Sequence, residues 1–167
     1  MTCCLLAAAC GGGADAEERD GSAAGPAPRV ESPCELVPER EVASVVGPIR
    51  SEPKERSAAF GSSCQYSFGS RSTPRYVELI WSDAATFGGV TSEGPDSTRL
   101  AGSQDYIVYR RAVSGVGTRA FFVNLNGLEY ALWVLDGRRA VAVQAVLGPE
   151  ELEKFKVLAA AQLAAWR

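Results

Sequence analysis

The sequence predicts an α+β domain: a mainly antiparallel β-sheet with an N-terminal and a C-terminal helix packed on it, held by one disulfide. Three observations carry that expectation. Alternating apolar runs at 119–125, 128–135 and 138–147 are separated by Asn126-Gly127 and Asp136-Gly137, dipeptides that favour tight hairpin turns. Near the C-terminus, Leu152, Phe155, Ala159, Leu163 and Trp166 recur at helical spacing. Further upstream, Pro38, Glu39 and Glu41 open a short helix that Gly47-Pro48 stops.

Taken in order, the first helix turns Val42, Val45 and Val46 to one side, with Cys34 and Leu36 tying its entry to the core. Residues 63–68 read as a strand in which Cys64, Tyr66 and Phe68 share a face. After a turn over 69–74, a second strand spans 75–81, where Tyr76, Glu78 and Ile80 alternate against Val77, Leu79 and Trp81; a hairpin is the simplest pairing. Ser82 is placed to cap a short helix through Phe87 that Gly88-Gly89 ends, and 90–103 reads as a loop. Another strand covers 106–113, and Gly115 and Gly117 punctuate the turn that follows. In the next two hairpins, turns centred on the two dipeptides set Leu125 opposite Leu128 and Leu135 opposite Arg138. Counting from there puts Phe121, Val123, Tyr130, Leu132, Val141 and Val143 on one face, a core face. Phe122, Ala131, Trp133, Ala140, Ala142 and Gln144 fall on the other, which reads either as a second core layer or as a shallow groove. Pro149, Glu150 and Glu151 open the last helix, and Trp166 implies a docked chain end.

The five cysteines are unevenly placed. Cys3, Cys4 and Cys10 lie in a short apolar start that ends in Leu6-Ala7-Ala8-Ala9-Cys10, whereas Cys34 and Cys64 lie in the part expected to fold. Small residues directly before a cysteine resemble a lipobox, the site at which a bacterial export signal is cut and the cysteine acylated. Residues 1–9 would then be signal, and its shortness against an apolar core of about 7–15 residues places the true start further upstream. Residues 10–32 would be the lipidated Cys10 and a disordered tether, because Gly, Ala, Asp, Glu, Ser and Pro dominate and Val30 is the one bulky apolar side chain after Cys10. Residues 33–167 would form a single domain. Two acyl chains on one cysteine give stable anchoring at the membrane surface. Export makes a bridge between Cys34 and Cys64 chemically permissible, and closing a loop of this length should stabilise the fold by about 3–4 kcal/mol.

Composition excludes several classes. The 167 residues carry 17 Lys and Arg against 20 Asp and Glu, a formal net charge of −3, and the basic residues are scattered. A nucleic-acid binder needs a concentrated positive face. The chain has no histidine, the commonest general base and metal ligand, and two well-separated cysteines cannot make a zinc site. No cofactor or metal is therefore expected. Ser51-Glu52-Pro53-Lys54 has the Ser-x-x-Lys spacing of acyl-serine enzymes, but Pro53 argues against the helical turn that would bring Ser51 and Lys54 together. Trp81, Trp133 and Phe122 either form a binding surface or lie buried under helices.

Pro33-Cys34-Glu35-Leu36, Cys64-Gln65-Tyr66 and Val113-Ser114-Gly115-Val116-Gly117 running into Ala120-Phe121, in this order, resemble the actinobacterial cell-envelope lipoproteins of domain-of-unknown-function family 3558. The chain departs from their pattern at Val37, where they carry a second Leu, and at Thr118-Arg119, where acids are frequent. The resemblance implies an α+β sandwich, an extracytoplasmic location and no assigned activity, with Cys34 and Cys64 as its disulfide. The expectation is a non-enzymatic, membrane-anchored lipoprotein that binds an envelope protein or small ligand. The alternative is an envelope enzyme or enzyme inhibitor without a recognisable catalytic motif.

Overall fold

The computed structural model describes residues 30–58, 61–91, 98–99, 106–125 and 127–166. A short helix α1 (Pro33–Leu36) leads into α2 (Glu39–Val46). Pro38 sits just before α2, and Gly47, at φ 98°, returns its N–H to the Ala43 carbonyl at 2.9 Å. Strands β1 (Lys54–Ala58), β2 (Gly61–Gly69) and β3 (Pro74–Asp83) form an antiparallel meander. Helix α3 (Ala84–Thr91) follows, then β4 (Thr98–Arg99). A second meander runs through β5 (Tyr106–Val113), β6 (Arg119–Leu125), β7 (Glu129–Asp136) and β8 (Arg139–Ala145). A 3₁₀ turn (Pro149–Glu151) enters the last helix, α4 (Leu152–Ala165).

The described strands make one antiparallel sheet in the order β1-β2-β3-β8-β7-β6-β5-β4. The two meanders meet at β3–β8, with Leu79 opposite Val143 and Trp81 opposite Val141. The sheet with helices on it and the Cys34–Cys64 disulfide is the predicted α+β architecture.

Each face of the sheet buries an apolar layer. Cys64, Tyr66, Leu79, Trp81, Phe122, Leu132, Val141 and Val143 point to the side covered by α2 and α4, where Phe155, Leu158 and Ala159 meet them. Ile80, Val123, Leu125, Ala131, Trp133, Ala140 and Ala142 point to the other side, where Phe87 of α3 packs. Edge strand β1 carries exposed Lys54, Glu55 and Arg56, which discourage pairing with another chain. Gly117 must be glycine: its φ is 57°, and a Cβ there would collide with the Val134 side chain and the Leu135 carbonyl.

Four details differ from the sequence reading. First, the β6–β7 connection has three residues, because the Asn124 side chain accepts the Gly127 N–H at 2.8 Å and Leu128 N–H reaches the Leu125 carbonyl. Leu125 therefore faces Glu129, one residue beyond the expected Leu128. A one-residue slip turns every β6 side chain over, so Phe122 joins Leu132 and Phe121 joins Trp133. Second, the β7–β8 register shifts by two, with Leu135 opposite Ala140, and keeps the expected faces. Third, Asp83 rather than Ser82 caps α3, accepting the Thr86 N–H at 2.8 Å, and the helix continues through Gly88 and Gly89. Glycine lowers helix propensity without blocking the hydrogen bonds. Fourth, Val30, assigned by sequence to the tether, packs half-buried against the core.

Candidate functional site

The disulfide joins the α1 entry to the second strand. Cys34 and Cys64 are bridged with their Cα atoms 5.0 Å apart, and Cys64 is fully buried. Nearby, the Tyr66 hydroxyl donates to the Val37 carbonyl at 2.8 Å. Burial, reinforced by the negative charge of Glu39, pushes the Tyr66 hydroxyl up to about 12. Staple and hydrogen bond together pin the segment that leads into α2. Cys10 lies outside the described residues.

Trp81, Phe122 and Trp133 do not form a binding surface. Trp81 and Phe122 are fully buried beneath the helices of one face. Phe122 stacks on Tyr130 at 5.5 Å and meets Phe155 edge-on at 5.2 Å. Trp133 is 2 % exposed in the opposite layer with Phe87. All three are core side chains. Ser51 and Lys54 share no helical turn, since Lys54 begins β1, so the Ser-x-x-Lys reading falls.

Polar side chains gather in two other places. On the α3 side, β2, β3 and β8 present Ser63, Tyr76, Glu78 and Gln144. Ser63 donates to Glu78 at 2.5 Å in a buried setting, and Gln144 donates to Glu129 at 3.0 Å. The Tyr76 hydroxyl is held well above the usual tyrosine range, first by burial and then by its hydrogen bond to Glu129. Sequence spacing gave no partner for Glu78; strand pairing brings Glu129 into the same cluster through Tyr76 and Gln144. Each carboxylate accepts a hydrogen bond from within the cluster, which is how a sheet satisfies polar groups it has buried.

The second place is a cavity of about 450 Å³ at the far end of the β2–β3 hairpin. Its apolar wall is Val46, Pro48 and Phe68; its polar rim is Arg50, Ser70, Thr73 and Arg75. Three local features shape it. Residue 47 ends α2 and turns the chain, so that Ile49 bridges to Phe68 and Arg50 N–H bonds the Ser67 carbonyl at 2.8 Å. Gly69, at φ 87°, lets the hairpin close where a Cβ would lie 2.7 Å from the Thr73 carbonyl. Within the turn, Ser70 Oγ accepts the Thr73 N–H at 3.0 Å and shares a 2.6 Å hydrogen bond with Thr73 Oγ1. Among the described residues the ion pairs join Arg139 to Asp136, Lys154 to Glu151 and Lys156 to Glu153, and none involves Arg50 or Arg75. This cavity was not legible in the sequence because its parts come from a helix end, a β-bridge and a hairpin turn. The one sequence signal was charge: between Arg56 and Glu78 the charged residues are Arg71 and Arg75, with no acid.

Among the described residues, no group of three or more His, Cys, Asp or Glu side chains is placed to hold a metal ion. No described helix is long and apolar enough to cross a membrane. In comparisons with known proteins, no family model, no curated protein and no solved structure matches the chain.

Proposed function

We propose that the chain is an extracytoplasmic lipoprotein, held at the membrane by acylated Cys10, whose domain binds a small ligand or partner at the cell envelope without catalysing a reaction. The observation that carries this reading is the bridged Cys34–Cys64 pair. Structural disulfides persist where thiols are not kept reduced, which fits an exported chain. The lipobox-like residues before Cys10 and the tether composition after it fit the same location. The resemblance to family 3558 lipoproteins rests on the segments around Cys34, Cys64 and Gly115-Val116-Gly117 and implies the same location. Binding rather than catalysis is favoured by the way the polar groups are arranged. The Glu78–Ser63 and Glu129–Gln144–Tyr76 contacts are spent inside the sheet, whereas the cavity beside Arg50 and Arg75 is of a size to take a small molecule.

Fractionation tests the anchor. Expressed in a bacterium with lipoprotein processing, the wild-type chain should sediment with membranes and enter the detergent phase, and Cys10→Ala should move it to the soluble extracytoplasmic fraction. Identical partitioning of the two proteins would defeat the reading.

A further inference from the structure

The geometry points to the cavity between α2 and the β2–β3 turn as a site for a phosphate group carried on an apolar body, with Arg50 and Arg75 as its charge partners. This deepens the binding reading above by naming the ligand class, and it rests on that reading only for the ligand's location.

Four observations lead there. Two guanidinium groups border one cavity, and neither pairs with a carboxylate among the described residues. Arginine presents a planar fork of donors that matches phosphate oxygens, and two forks suit a dianion better than a single carboxylate. Thr73 adds a hydroxyl whose position is fixed by its hydrogen bond to Ser70 and whose oxygen keeps further hydrogen-bonding capacity, whereas Ser70 Oγ is filled by Thr73 N–H, Thr73 Oγ1 and Ser72 Oγ and holds the turn in place. Phe68 and Pro48 supply an apolar wall beside this rim, so a ligand made only of charge would leave half the cavity unused. The volume of about 450 Å³ is in the range of small-molecule sites and too small for a folded partner.

A free phosphate ester and a lipid headgroup share this chemistry, and the test below separates them. Val30, next to the tether, lines a separate hollow with Ser62 at one end of β2, while the arginine cavity opens beside Gly69 at the other. Seven residue steps along β2, from Ser62 to Gly69, separate those ends by roughly 23 Å at about 3.3 Å per residue. The cavity is thus at the end of the domain remote from where the tether enters.

The test uses the full chain carrying Cys10→Ala, so that no acyl anchor confounds the vesicle measurements. Inorganic phosphate, dodecyl phosphate and dodecyl alcohol are titrated by calorimetry, and vesicles of phosphatidylglycerol and of phosphatidylcholine are tested by co-sedimentation. Dodecyl phosphate should bind more tightly than inorganic phosphate, dodecyl alcohol should not bind, and affinity should fall as salt is raised. Arg50→Gln with Arg75→Gln should weaken dodecyl phosphate binding by about tenfold or more, while Arg71→Gln, outside the cavity, should change it by less than about twofold. Binding of the soluble ester without the vesicles marks a free ligand. Sedimentation with phosphatidylglycerol alone, lost in the double variant, marks a headgroup, and both carry the same phosphate chemistry. Absence of any binding at millimolar ligand, or binding unchanged in the double variant, overturns the site. Fractionation of Cys10→Ala reports independently on anchoring, so the two ideas fail separately.

Discussion

The two faces of the sheet solve different problems. The face under α2 and α4 is apolar from β2 across to β6, with Tyr66, Leu79, Val143, Leu132 and Phe122 contributing in turn. The face under α3 is divided: small and aromatic side chains such as Ala142, Ala140 and Trp133 fill one part, while Ser63, Glu78, Tyr76 and Gln144 fill another. An apolar face gains its stability from burial under the helices. A divided face buries polar groups at least cost where they find partners, as Ser63 and Glu78 do, while Ser82 Oγ on the same face is buried with no hydrogen-bond partner among the described residues; its cost of error is a lost hydrogen bond rather than a cavity. The difference teaches that stability should be concentrated under α4, and that the polar part of the other face should tolerate isosteric change.

The largest effect should come from Phe122→Ala. It removes a fully buried ring with two aromatic neighbours and should cost about 3–5 kcal/mol, read from urea or thermal unfolding. Breaking the staple comes next: Cys34→Ser should cost about 3–4 kcal/mol and lower Tm by about 10 °C in the unreduced protein. Tyr66→Phe should cost about 1–2 kcal/mol by leaving the Val37 carbonyl unpaired. The same hydroxyl also fixes a pH dependence. An unfolded tyrosine loses its proton near pH 10, whereas Tyr66 in the fold holds it to about 12. Between those values the unfolded chain binds fewer protons, so stability is full below about pH 10 and falls as pH rises towards 12. Tyr66→Phe should reduce that alkaline loss and leave the part that Tyr76, also held above the usual tyrosine range, contributes, as seen in Tm measured at steps across this range. The smallest effect belongs to the divided face. Glu78→Gln keeps an acceptor for Ser63 and should cost less than about 1 kcal/mol, and a loss as large as that of Phe122→Ala would erase the contrast between the faces.

The helix face was legible in the sequence because its pattern is simple. Cys64, Tyr66 and Phe68 alternate with polar residues, and in β3 Val77, Leu79 and Trp81 alternate with Tyr76, Glu78 and the apolar Ile80, so period two groups each set without any knowledge of partners. The faces of β6 were not legible. Asn126-Gly127 marks a turn but not its length, and one extra residue, stabilised by Asn124, reversed Phe121 and Phe122. The β3–β8 pairing was equally hidden, since it joins segments some sixty residues apart and no local rule selects it. Burial of Trp81 and Trp133 follows from their place on interior strands β3 and β7, either side of β8, and Phe122 of β6 is buried against Tyr130 and Phe155. The arginine cavity could not be read from spacing, because Arg50 and Arg75 meet through the Ile49–Phe68 bridge rather than through adjacency in sequence.

Peptide mapping by mass spectrometry of protein taken from membranes without reduction tests the central claim most directly. The first peptide should begin at Cys10 and carry a diacylglyceryl group, and the peptides containing Cys34 and Cys64 should migrate as one linked species. An amino terminus uncut at position 10, with both Cys34 and Cys64 alkylated as free thiols, would contradict it.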